Sequence, residues 1–204
     1  MGRAAKPVRK VPIAEDGLAP PGDGDGDGDV GDTNACDAAG LAPDTPHGDL
    51  FDRVGRFLRE KGFPHEALPG REFHAVRYDI AHASLRVILE SSDEGERACV
   101  LALAMLPVRV PERRRTAVAE ALCRINYVTG NGVFEMDFRD GEIRVRTFAD
   151  LGAGYADAIV DRALGTAIGG ADKYFAALMA VAYGNADPAQ VLELAQKGDE
   201  RGLQ

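Results

Sequence analysis

Tryptophan is absent from the 204-residue sequence, cysteine occurs only three times, and aromatic residues make up 6% of it. Three cysteines are too few, and odd in number, for a disulfide framework, so a reducing cytoplasm is the expected location. Apolar runs long enough to span a bilayer are missing, and none follows the basic start as a secretory leader would require. Basic residues are in the minority: 24 Lys and Arg face 33 Asp and Glu, a formal net charge of -9. A chain of that balance is poorly suited to neutralising phosphates or to an anionic membrane surface. No nucleic-acid or membrane partner is therefore expected.

The residue constellations of common chemistries are missing too. The four histidines, His47, His65, His74 and His82, show no metal-ligand spacing, and there is no Cys-x-x-Cys pair. Cys99 lies in an apolar run and Cys123 on a helical pattern, so both read as small buried side chains rather than nucleophiles. Gly165-Thr166-Ala167-Ile168-Gly169-Gly170 lacks the lysine of a phosphate loop and does not follow a strand. No catalytic, metal-binding or cofactor-binding residue is assigned, and no enzymatic activity is expected. One polar residue stands out. Asn126 sits at the edge of an apolar helical face, where its amide either holds a neighbouring loop or strand or recognises a ligand; the structural role is preferred.

Residues 1–48 contain 9 Gly, 6 Pro and no aromatic residue, with 4 basic and 9 acidic side chains. Such a segment cannot bury enough apolar area to offset its ordering entropy, so a disordered acidic tail is expected there. Within it, the run from Asp23 to Asp29 copies the front half of a calcium loop. Position 12 of that loop would be Asn34 rather than Glu, and Ala19-Pro20-Pro21-Gly22 cannot form the entering helix. An acidic low-complexity run is the better reading.

Residues 49–204 carry all the aromatic residues and read as one domain. Asp49 suits a helix N-cap, and Leu50, Phe51, Val54, Phe57 and Leu58 follow at helical spacing up to Lys61-Gly62. Residues 72–80 and 84–90 alternate as strands do. Residues 98–106 are apolar throughout, which predicts a strand buried on both faces or at least central in its sheet. Ser92-Asp93-Glu94-Gly95 predicts the turn between the second and third strands, giving an antiparallel meander. Pro111 opens a helix whose stripe is Val118, Ala121, Leu122, Ile125 and Val128. Its start carries Arg113, Arg114 and Arg115, which oppose the helix dipole.

Asp140-Gly141 then predicts a two-residue hairpin turn. Its register pairs Phe138 with Ile143, Met136 with Val145 and Phe134 with Thr147 on an apolar face. Arg139 pairs with Glu142, Asp137 with Arg144 and Glu135 with Arg146 on a charged one. A helical pattern follows Gly152 and Gly154, breaks at Gly169-Gly170 and resumes over 171–183. Asp187-Pro188 starts a last short helix to about Gln196. The expected fold is α+β, an antiparallel sheet with helices packed on it, in the order α-β-β-β-α-β-β-α.

The stretch Leu106-Pro107-Val108-Arg109-Val110-Pro111, the helix end Asn126-Tyr127, Gly132-Val133-Phe134-Glu135-Met136-Asp137 with its hairpin, and Asp172-Lys173-Tyr174 leading to Tyr183-Gly184 together resemble the YbjN domain family over roughly residues 50–195. That resemblance implies a type III secretion chaperone-like fold, a role as a sensory-transduction or stress regulator, and no catalytic residues. The functional expectation is a non-enzymatic protein-interaction module, chaperone-like or regulatory. It would hold an unidentified protein or peptide along the sheet or a helical groove, with a homodimer as a possible assembly. The alternative is a small-molecule sensor or enzyme with a pocket between sheet and helices, where His74, Tyr78 and Asn126 would be inspected first. A third possibility makes the acidic tail an electrostatic arm.

Overall fold

The computed structural model describes residues 48–68, 73–94, 97–151 and 156–201. Residues 1–47, with the Asp/Gly run, lie outside them, as do Gly95, Gly152 and Gly154. The chain is α+β. Helix α1 (Gly48–Glu60) precedes four strands, β1 (His65–Leu68), β2 (Phe73–Asp79), β3 (Ser84–Glu94) and β4 (Arg97–Arg109). Helix α2 (Arg115–Val128) crosses to β5 (Val133–Met136) and β6 (Glu142–Asp150), followed by α3 (Asp157–Ala182) and α4 (Val191–Arg201). All six strands form one antiparallel sheet in the order β1-β2-β3-β4-β6-β5.

The expected order is corrected at two places. Strand β1 was not anticipated: His-Glu-Ala-Leu is too short to show a period, and it is an edge strand recruited by pairing with β2. At the other end α3 and α4 are separate helices, so the order is α-β-β-β-β-α-β-β-α-α. The break at Gly169-Gly170 is also absent, since α3 runs unbroken for 26 residues. Ala163, Leu164, Ala167, Ile168, Ala171, Tyr174 and Phe175 form a buried stripe that passes through the glycines. Burying that stripe outweighs the ~1 kcal/mol that each helical glycine costs relative to alanine. Ser92, Asp93 and Glu94 continue β3 rather than turning, and pair with Cys99, Ala98 and Arg97. Helix α4 extends to Arg201, beyond the expected Gln196.

The hairpin differs in an informative way. Its loop has four residues, 138–141, not two. The Asp137 N–H donates to the Glu142 carbonyl (2.9 Å), and the Gly141 N–H donates to the Asp137 carbonyl (2.7 Å). The paired residues are Met136 with Ile143, Glu135 with Arg144, Phe134 with Val145 and Val133 with Arg146. The register is shifted by two, so every side chain keeps its expected face. Phe138 is the exception: it sits in the loop and is exposed rather than paired with Ile143. Gly141 ends the loop with φ +79°, and a Cβ there would run into the backbone of Val110. Inside the loop, Arg139 binds the Asp137 carboxylate through its side chain and backbone N–H, holding that carboxyl down at about 2.

The helices pack on one face of the sheet. On that face lie His74 and Val76 (β2), Leu85, Val87 and Leu89 (β3), Val100, Ala102 and Ala104 (β4), Ile143, Val145 and Thr147 (β6) and Phe134 (β5), nearly all buried. Helix α1 seats Val54, Phe57 and Leu58 there. The His74 ring stacks on Phe51 of α1 with centroids 4.1 Å apart. Helix α3 accepts the buried Thr147 hydroxyl at the Ala163 carbonyl, 2.8 Å. Helix α4 lies against α2 and α3.

The arginines before α2 have an explanation that the helix-dipole argument lacked. Arg114 donates through Nε and Nη2 to the Val181 carbonyl (3.0 and 2.6 Å) and through Nη2 to the Ala186 carbonyl (3.2 Å). A guanidinium thus satisfies carbonyls at the end of α3, where a cation is favoured. Arg115 reaches the Phe138 carbonyl at 2.8 Å and ties down the hairpin loop. Two burial expectations are corrected on α2: Val128 of the stripe and Cys123 are exposed, because the helix turns only Val118, Ala121, Leu122 and Ile125 inward.

Candidate interaction surface

Strand alternation puts a second set of side chains on the opposite, outer face of the sheet. The register arranges them in three rows across the strands. The middle row reads Glu66, Ala75, Ile88, Leu103, Arg146, Val133. The row on one side reads Arg77, Arg86, Met105, Arg144, Glu135. The row on the other side reads Phe73, Glu90, Leu101, Phe148. None of the described helices packs on this face.

The centre of the face is therefore apolar, and no described helix covers it. Ile88, Leu101 and Met105 are half-buried, and Phe148 and Val133 are 53% and 43% exposed. Ala75 and Leu103, at the centre, are each 9% exposed. Around the apolar centre the charges are uneven. Glu135 takes both Arg144 (2.7 Å) and Arg146 (2.6 Å). Arg77 and Arg86 stand directly opposite each other, both exposed, and neither has an ion pair among the described residues. Like charges directly across a sheet are destabilising, so this pair is a local cost that no ion pair among the described residues offsets.

The residues singled out from the sequence do not converge. Asn126 is spent on the edge of the sheet: its Nδ2 donates to the Phe134 carbonyl (2.9 Å), and its Oδ1 accepts from the Phe134 N–H (2.8 Å). His74 and Tyr78 lie on β2, while Asn126 faces β5, four strands away at the other edge. His74 is 2% exposed, and its Nε2–H donates to the Phe51 carbonyl at 2.9 Å. Its Nδ1 has no partner. Burial, foremost, pushes its pKa below the ordinary 6.5, and the nearby His65 and Arg59 add to this. The Phe51 hydrogen bond and Asp52 oppose it. Among the described residues no three His, Cys, Asp or Glu gather as a metal site would need. A cleft of about 270 Å³ does open between β6 and α3, lined by Asn131, Thr147, Asp150, Arg162 and Thr166 among others, and contains none of the three residues.

The profile of the YbjN family, described as "Putative bacterial sensory transduction regulator", matches residues 50–180. The chain belongs to the YbjN family. The match spans the elements that build the sheet and nearly all of α3, so the outer face lies within the family domain. A solved structure is also similar, the crystal structure of YbjN, "a putative transcription regulator", from E. coli. It has 14% sequence identity and a TM-score of 0.47 and covers 66% of this chain and 90% of that one. No curated protein matches. Among the described residues no helix is long and apolar enough to cross a membrane.

The outer face was not named as a site from the sequence, yet its signal was there. Residues 98–106 read as apolar on both sides, and among the described residues the helices cover only one side of them.

Proposed function

We propose that this YbjN-family chain is a non-enzymatic, cytoplasmic protein-interaction module with a regulatory or chaperone-like role, and that it makes its contacts through the outer face of the sheet. The observation that carries this reading is β4, whose Leu101, Leu103 and Met105 point away from the helix-covered core. Apolar surface removed from water contributes about 25 cal/mol per Å². An apolar sheet face that no described helix covers, with Phe148 and Val133 exposed at its margins, is therefore a driving force for association. The family's description as a sensory transduction regulator supports a role exerted through contacts rather than chemistry.

The test is to capture proteins from source lysate on the tagged full chain and on its Leu101→Glu and Leu103→Glu variants, each checked for an unchanged circular dichroism spectrum. A specific protein held by the wild type and lost from both variants is the expected result. The same proteins on all three chains would remove the outer face from the proposal. The cleft between β6 and α3 favours a second reading, a small-molecule sensor. A metabolite screen by thermal shift, in which a hit is lost on Arg162→Ala, is the result that would favour it.

A further inference from the structure

We infer that the occupant of the outer face is a second copy of this chain, packed sheet against sheet about a two-fold axis that crosses the strands along the Ala75-Ile88-Leu103 row. This rests on the reading of that face as a contact surface and adds who covers it. The argument comes from the charge pattern. A two-fold axis lying in the interface at right angles to the strands keeps each strand over its own copy and reverses its direction. The row on one side of the axis is thereby laid over the row on the other side.

All the facing pairs then match except Glu66 on the edge strand β1, which meets its own counterpart at the exposed rim. Arg86 faces Glu90 of the second copy, and Met105 faces Leu101. Arg77 and Arg144 face the rings of Phe73 and Phe148, a cation over an aromatic ring. Ile88 and Leu103 meet their own counterparts on the axis. Arg146, also on the axis row, is already neutralised by Glu135. The two arginines that the monomer leaves opposed and unpaired each gain a partner, and so does Glu90, which has no ion pair among the described residues. Two twisted sheets pack with their strands roughly aligned and ~10 Å apart, which leaves room for these side chains to interdigitate. The area is also adequate. Strands of 4, 7, 11, 13, 4 and 9 residues present a face of roughly 750 Å² per copy, close to the ~800 Å² that each partner buries in a stable interface.

The experiment is sedimentation equilibrium on the full chain, the single variants Leu103→Glu, Arg86→Glu and Glu90→Arg, and the double variant Arg86→Glu/Glu90→Arg. Within one chain Arg86 and Glu90 are about 13 Å apart along β3 and cannot pair, so each can respond to the other only across the two copies. The wild type is expected at twice the monomer mass and Leu103→Glu at the monomer mass. Each charge reversal should weaken dimerisation about tenfold or more, and the double reversal should restore it to within about threefold of wild type. A wild type monomeric at 100 μM overturns the inference. So does a dimer unmoved by Leu103→Glu, or a double reversal weaker than either single one. A monomeric wild type that still loses a captured protein on Leu103→Glu would leave the contact surface standing with a different occupant. Loss of that effect as well would remove both.

Discussion

Asn126 shows how one side chain finishes a sheet. Strand β5 is an edge, so its outward N–H and C=O would otherwise face solvent or a foreign strand. The Asn126 amide offers one donor and one acceptor to the same residue, Phe134, as a neighbouring strand would. Removing it leaves two partly buried backbone groups without partners, a cost of about 1–3 kcal/mol. Asn126→Ala should lower the melting temperature by several degrees, read by calorimetry; no change would refute the structural role.

His74 adds a pH dependence whose sign follows from its surroundings. A carbonyl can only accept, so the Nε2 facing Phe51 carries the proton and Nδ1 is bare. Protonating Nδ1 would place a buried N–H without an acceptor beside α1. The folded pKa is depressed, so the unfolded chain takes up the proton first. The stability this group contributes is fully present above its unfolded value near 6.5. It is lost as pH falls from there toward the lower folded value. Urea midpoints at pH 7.5 and 5.5 should therefore differ more for the wild type than for His74→Gln, which keeps a donor for Phe51 but does not titrate. Equal differences would mean that His74 does not titrate in this window.

At the scale of elements, α3 carries an avoidable weakness. Gly165 and Gly169 are exposed and have open space where a Cβ would stand. Neither needs the freedom that glycine brings, because the helix continues through both. Gly165→Ala and Gly169→Ala should each raise stability by about 0.5–1 kcal/mol in chemical denaturation. A loss at either would show that the helix needs a bare backbone there. Gly169-Gly170 looks like a stop because local propensity marks one, but the buried stripe on both sides of it prevails. The period-2 and period-3.6 patterns make α1, β2, β3 and α2 legible, because each buries one regular face, and the unbroken apolar run makes β4 legible as a central strand. The faces of the hairpin were legible and its register was not. Asp140-Gly141 looks like the middle of a two-residue turn, but Gly141 serves as the left-handed end of a longer loop pressed against Val110, a neighbour that no local pattern reveals. Strand β1 was invisible for the same reason, since pairing with β2 is what makes it a strand.

At the scale of the whole molecule, the described helices cover one side of the sheet and leave the other without one. The helix-covered face has a core built from all four helices and strands β2 to β6, with Phe57, Leu89, Ile125, Leu164 and Leu178 fully enclosed. The outer face has apolar residues at its centre and a like-charged pair at its side, the pattern of a surface shaped for something outside the monomer. If a second copy fills it, folding and association are coupled, and stability must depend on concentration. For two copies unfolding together, with roughly 0.7 kcal/mol of enthalpy per residue, each tenfold rise in protein should lift the melting temperature by about 2 °C. A scan from 1 to 100 μM on the full chain should therefore show a rise of about 4 °C. Leu103→Glu should flatten that dependence. Its fold should survive, because the new carboxylate sits on the face without helices and opposite Arg146. A wild-type melting temperature constant across that range would mean that the outer face stays open in the isolated protein.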